Sequence, residues 1–238
     1  EMLWQREHAE ARQMFDLVSD ADKALAETRI ALQNLDGDVN ALIDALPASK
    51  AGDPGLQADR FEWRIRKGYG DSAKDLMLSQ SVSAAWANRR RALARDEMRN
   101  GDPARAYQMA SKHFLSEGAH FADLEWLSGY IALRFLKDPK LALGHFQAHD
   151  GAVESPISQG RAGYWQGRAY QAMGDAEGAA KAYAQGAKFQ SSFYGLLAAE
   201  RGNLPFDPSL AGAPPEQDWR TSALAQAPLF QAGLLLQA

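Results

Sequence analysis

Four dipeptides, Gly70-Asp71, Gly101-Asp102, Lys137-Asp138 and Gly174-Asp175, recur through the middle of the chain, each in front of an alanine-rich stretch. A weaker fifth, Gly37-Asp38, precedes them, and the successive aspartates stand 33, 31, 36 and 37 residues apart. A period of that length predicts stacked helical hairpins, each burying its apolar face against its neighbours. The chemistry of the junction agrees. Glycine takes the left-handed conformation that ends one helix, and aspartate accepts hydrogen bonds from the free amides that start the next. Pro103 and Pro139 follow their aspartates at the first helical position, where a missing amide costs nothing.

The fullest repeat runs from residue 163 to 186. Gly167, Tyr170, Gly174, Ala179 and Tyr183 follow the small–aromatic–turn–small–aromatic spacing of a tetratricopeptide hairpin. Small residues at 167 and 179 let two helices approach, and the aromatics at 170 and 183 fill the space around the contact. One period earlier, Trp126, Ala142 and Phe146 take the corresponding places. Before that Ala94, Gly101, Ala106 and Ala110 keep part of the pattern, and near residue 70 only Ala73 and Met77 do. Strand signals are nearly absent: no Asn-Gly or Asp-Gly turn is flanked by alternating β-branched residues. The expected fold class is all-α, an α-superhelix (α-solenoid) of tetratricopeptide-like helical hairpins.

Two breaks divide the chain. Residues 47–55, Pro-Ala-Ser-Lys-Ala-Gly-Asp-Pro-Gly, separate an N-terminal helical pair (1–50) from the main repeat array (51–203). From Leu204 to Trp219 the sequence holds Pro205, Pro208, Pro214 and Pro215, a density that interrupts regular helix. Residues 204–238 therefore read as a connector that Asp218 ends by capping a short final helix. The abrupt start at Glu1 fits a removed signal peptide or a truncation, and residues 231–238 read as another helix opening. The chain is accordingly expected to be a piece of a longer protein.

Of the 238 residues 24% are charged, with a net charge of −4, so no basic excess points to nucleic acid or to an anionic membrane surface. No apolar run approaches the roughly 18 residues needed to span a bilayer. The absence of cysteine removes disulfides, zinc–thiolate sites and cysteine nucleophiles.

Candidate chemistry is sparse. Glycosidic cleavage needs a carboxyl group whose pKa is raised in a water-poor cleft. Glu125, before Trp126 on an apolar helix, reads as a helix-surface or ion-paired residue, and Glu154, before Ser155-Pro156, as part of an interhelical turn. His145 and His149 share a helix face at a spacing that suits zinc, but the sequence between them lacks the zincin glutamate and no third ligand is evident. His113 and His120 flank a connector and read as loop or packing residues. Arg89-Arg90-Arg91 point in three directions on a helix and read as solvated arginines pairing with Asp96, Glu97 or a neighbouring repeat. Trp126, Tyr130, Tyr164, Trp165 and Tyr170 could stack on sugar rings, yet their helical spacing fits a core. From the residues alone the chain is a helical-repeat binding or scaffold module, with no catalytic residue, metal site or cofactor expected and its substrate contacts unassigned.

Two stretches are more specific. One runs from Ala122-Asp123-Leu124-Glu125-Trp126 to Phe135-Leu136, followed by Ala142-Leu143-Gly144-His145-Phe146. The other contains Tyr164-Trp165-Gln166-Gly167-Arg168-Ala169 and then Ser192-Phe193-Tyr194-Gly195. Together they resemble the superhelical and linker part of the periplasmic soluble lytic murein transglycosylases of Gram-negative bacteria, over about residues 85–210. The resemblance implies a parent enzyme that cleaves the β-1,4 bond between N-acetylmuramic acid and N-acetylglucosamine in peptidoglycan, leaving 1,6-anhydromuramoyl ends. In that family the catalytic glutamate sits in a Glu-Ser motif of a lysozyme-like domain downstream of the Phe-Tyr-Gly region. Glu154-Ser155 lies upstream and precedes proline, so no catalytic residue is carried over. The expectation is a non-catalytic, periplasmic module that positions glycan strands and docks its own C-terminal lysozyme-like domain. Two alternatives stand beside it: a tetratricopeptide-like protein-interaction scaffold in the cell envelope, and a small hydrolase using Glu125 or Glu154.

Overall fold

The computed structural model describes residues 1–79, 86–212 and 218–236. All regular structure among them is helical, as the composition of the segments demands. Thirteen α-helices follow in order: α1 (His8–Gln13), α2 (Asp20–Gln33), α3 (Asn40–Asp44), α4 (Pro54–Arg66), α5 (Gly70–Ser79), α6 (Ala87–Asn100), α7 (Pro103–Ser111), α8 (Gly118–Ile131), α9 (Pro139–Gly151), α10 (Pro156–Met173), α11 (Ala176–Gly186), α12 (Phe193–Arg201) and α13 (Pro228–Leu235). A π-helical segment, Ala132–Leu136, prolongs α8.

Three of the periodic aspartates cap as expected. Asp102 accepts from the Ala104 amide (2.9 Å), Asp138 from Leu141 (2.9 Å) and Asp175 from Gly178 (2.8 Å). Asp53, Ser155 and Ser192 cap α4, α10 and α12 in the same manner, with proline behind Asp53 and Ser155. Asp71 departs from the pattern. It lies in the first turn of α5 and approaches Arg105 (3.4 Å). The glycines depart too. Gly174 is left-handed (φ 78°), but Gly101 is not, Gly70 is already helical, and Gly68 (φ 83°) ends the preceding helix. Gly37-Asp38 closes nothing, because Leu35 (φ 62°) has ended α2 two residues earlier. The shared device is a wide closing bond. The amides of Asp36, Tyr69, Asp175 and Leu204 donate to the carbonyls of Ala31, Arg64, Tyr170 and Ala199, each across a left-handed residue.

Successive helices from α6 to α12 pack on one another, and α6 also touches α8, as α10 touches α12. Small residues set the closest approaches. A Cβ on Gly167 would lie 2.4 Å from the Tyr183 ring, and one on Gly129 2.6 Å from the Phe146 ring. The same glycine-under-aromatic contact thus recurs in α8/α9 and α10/α11. Gly129, rather than Trp126, is the counterpart of Gly167. Gly163 brings α10 nearest to α11, since a Cβ there would meet the Gly186 amide nitrogen at 2.4 Å. One core gathers Phe61, Met77, Trp86, Met109, Leu127 and Ile131, and a second Phe146, Tyr164, Trp165 and Tyr183. Tyr107 and Trp126 pack against both.

The segment 47–55 does not isolate the N-terminal helices: α4 packs on α2, and Arg29 pairs with Asp59 at 2.7 Å. After α12, Gln190 holds the outgoing chain through the Pro205 carbonyl (3.1 Å) and the Asp207 amide (2.9 Å). Pro214 and Pro215 of the connector lie outside the described residues. Asp218 caps a three-residue 3-10 turn, Trp219–Thr221, and not the final helix, which starts at Pro228 with no side-chain cap. No described helix is long and apolar enough to cross a membrane.

Candidate functional site

Helix α8 is apolar nearly all round and therefore has neighbours on two sides. Its two acidic residues, Asp123 and Glu125, meet different partners. Glu125 is buried, 9% exposed, on the side that meets α7 and α9. His113 Nε2 lies 2.9 Å from its Oε1, and His145 Nδ1 lies 2.6 Å from its Oε2. The Leu115 amide donates to His113 Nδ1 (3.0 Å), so His113 carries its proton on Nε2 and donates to Glu125. On the far side of His145, Nε2 stands 2.8 Å from the Tyr107 hydroxyl. A chain of polar contacts thus runs Tyr107–His145–Glu125–His113 through the junction of three helices. Burial pushes the Glu125 carboxyl up, but the hydrogen bonds from His113 and His145 outweigh it and hold the pKa at about 2.

That state disqualifies Glu125 as a general acid. It holds no proton at neutral pH, and both oxygens are occupied. Its work here is to orient two imidazoles. Glu154 is exposed between α9 and α10, at the rim of a surface groove with Ser116, Glu117 and Phe121. It faces solvent and is not held in the water-poor cleft that glycosidic cleavage needs. The proposed histidine pair also separates. His145 turns to Glu125, whereas His149, fully buried, donates from Nδ1 to the Ala122 carbonyl (2.8 Å). Burial lowers the His149 pKa. Among the described residues no group of three His, Cys, Asp or Glu side chains is placed to hold a metal ion. His113 sits in the connector between α7 and α8 with its side chain buried against Glu125, and His120 lies within α8. One sequence signal could have found this network: α8 and α9 flank the Lys137-Asp138 junction, and a hairpin closed there turns α9 back along α8, toward Glu125.

The arginine run divides three ways. Arg89 pairs with Glu62 of α4 at 2.9 Å, and Arg91 pairs with Asp123 of α8, so both reach neighbouring helices. Arg90 is not solvated. It is 1% exposed and donates to the carbonyls of Met109 (2.9 Å) and Met77 (3.4 Å), in the last turns of α7 and α5. Burial without a carboxylate lowers its pKa to about 10. Asp123 receives a second arginine, Arg161 of α10, at 3.6 Å. The Arg161 guanidinium also caps the Trp126 ring at 5.0 Å.

The aromatic candidates are mainly core. Tyr164 and Trp165 are buried, and Trp126, Tyr130 and Tyr170 are half-buried. Trp126 stacks on Tyr130 (centroids 5.5 Å) and carries Arg161 at its ring, so little of it remains for a sugar. In Ser192-Phe193-Tyr194-Gly195 three residues have structural tasks. Ser192 caps α12, Tyr194 packs on Tyr164 (5.5 Å), and a Cβ on Gly195 would collide with the Phe189 carbonyl oxygen at 1.9 Å. Phe193 is 69% exposed. Comparisons with protein-family models, curated proteins and solved structures each returned no match to this chain.

Proposed function

We propose that this chain is the non-catalytic, superhelical module of a periplasmic lytic murein transglycosylase, and that it holds peptidoglycan while the cleaving domain acts. The observation that carries the reading is the recurrence of one hairpin unit. Gly129 under Phe146 with Asp138 capping, and Gly167 under Tyr183 with Asp175 capping, repeat the same construction in adjacent helix pairs. Stacked units of this kind form an extended surface on which a polymer's contacts can be spread over several repeats. The Ser192–Gly195 segment that carries the resemblance is built into that stack against α10. Glu125, deprotonated and saturated with hydrogen bonds, supports assigning cleavage to another part of the parent protein.

A second reading, a peptide-binding scaffold of the tetratricopeptide kind, is favoured by the half-exposed arginines around Asp123. Co-sedimentation with purified sacculi tests the first reading. The chain is expected to pellet with them at physiological salt; retention in the supernatant at every protein concentration overturns it.

A further inference from the structure

One face of the helices around Asp123 has too much positive charge for its own needs. Arg91, Arg95 and Arg99 follow one another at four-residue spacing along α6. Like charges at that spacing destabilise a helix by a few tenths of a kcal/mol per pair, so the stripe does not serve α6 itself. From α10, Arg161 joins the same group. Asp123 is the carboxylate they share: Arg91 and Arg161 both contact it, with side chains 28% and 22% exposed.

Arg95 is the unassigned member. It is half-buried, makes no hydrogen bond or ion pair among the described residues, and feels the charges of Arg91, Arg99 and Arg161 against that of Asp123 alone. Burial, followed by the Arg91 charge, lowers its pKa. Two buried donors beneath it, the Nε–H of Arg161 and the Nε1–H of Trp126, also have no acceptor. A partly desolvated guanidinium without a counter-charge is costly unless an anion completes it.

We infer that Arg95, with Arg91 and Arg161 beside it, forms a binding site for a carboxylate group of an acidic peptide. The planar guanidinium fork matches a carboxylate with two parallel hydrogen bonds. Asp123 shows the geometry already in use, with one carboxylate shared between arginines of two helices. Its negative charge also disfavours a dianionic phosphate more than a singly charged carboxylate. Four arginines around Asp123, one of them (Arg99) also facing Asp96, in a chain of net charge −4, do not make the extended basic track that nucleic acid requires. Where the peptide comes from rests on the peptidoglycan reading: it would be the peptide stem rather than the sugar. An acidic protein segment offers the same chemistry.

The test is calorimetric titration of the chain with an acetylated Ala-Glu-Glu-Ala peptide with a free C-terminus, its Gln/C-terminal-amide analogue, and inorganic phosphate. Arg95→Gln is the variant, because Arg95 holds nothing together and the fold should survive, as an unchanged circular-dichroism melt would verify. The acidic peptide is expected to bind, the amide analogue to fail, and R95Q to bind at least about tenfold more weakly. Absence of peptide binding, equal binding of the amide analogue, an unaltered R95Q, or phosphate binding as tight as the peptide's overturns the inference.

Sedimentation with intact sacculi and with sacculi stripped of their peptides separates the two claims. Loss of R95Q from intact sacculi, together with failure of the wild type on stripped ones, identifies the stem as the source. Peptide binding without sacculus binding keeps the carboxylate site and removes the peptidoglycan reading. Equal sedimentation on both kinds of sacculus, with R95Q unchanged, does the reverse.

Discussion

Replacing Glu125 with glutamine removes the charge at the centre of the Tyr107–His145–Glu125–His113 chain while keeping its shape. The folded carboxyl titrates at about 2, against 4.5 for an unperturbed glutamate. At 1.36 kcal/mol per pKa unit this is a contribution of about 3 kcal/mol at neutral pH. The sign follows from the direction of the shift. A depressed carboxyl pKa contributes stability that is fully present above pH ~4.5 and is lost as pH falls through the folded value near 2. At pH 3 less than half of it should remain. Glutamine has no such dependence, and its NH2 would face a histidine N–H, leaving a buried donor unmatched. Glu125→Gln is therefore expected to cost about 3 kcal/mol at pH 7, or on the order of 6–12 °C in Tm for a chain of this size. The wild-type advantage should shrink by about 2 kcal/mol between pH 7 and pH 3. Urea unfolding of both proteins at the two pH values, followed by circular dichroism, measures this. Equal stability at pH 7, or a difference that does not change with pH, would refute an ionised, doubly bonded Glu125.

Further expectations concern the backbone. Gly163→Ala puts a methyl group 2.4 Å from the Gly186 amide nitrogen and should cost about 1–3 kcal/mol by forcing α10 from α11. Gly144→Ala meets nothing within 4 Å and should stabilise α9 by up to about 1 kcal/mol; paired thermal melts distinguish the two. Lys137 is left-handed (φ 58°), so Lys137→Gly should raise the melting temperature, whereas Gly174→Ala, at φ 78°, should lower it by the equivalent of about 1–2 kcal/mol. If both substitutions move Tm in the same direction, left-handed closure does not govern these junctions.

The helical class was legible because alanine-rich segments punctuated by Asp-Pro and Ser-Pro leave few alternatives. The helix starts were clearest: Asp102, Asp138 and Asp175 cap through a local bond that depends on few other residues. Helix ends were less legible, since Leu35, Lys137 and Asn203 take left-handed geometry without being glycine. Their cost is absorbed by the surrounding packing, which no local pattern displays. The candidate sites were harder still. Glu125 reads as a surface or ion-paired charge and Arg90 as a solvated one, because charged residues are usually exposed. Their burial depends on which face of each helix meets a neighbour, and on partners 12 to 20 residues away. Arg95 is hidden beside the Arg89-Arg90-Arg91 run, although the four-residue stripe it forms with Arg91 and Arg99 is visible in the sequence once helix geometry is imposed.

Tyr107 and Trp126 each pack against both of the larger apolar clusters, and the helices that bear them, α7 and α8, are neighbours. In the stacked array proposed above, fraying would ordinarily run from the ends, one unit at a time. Here that unzipping meets a shared keystone: stripping either flank from these two rings uncovers the wall of the other. The central hairpins should consequently melt together, and hydrogen exchange there should report one common opening energy while the terminal helices exchange sooner.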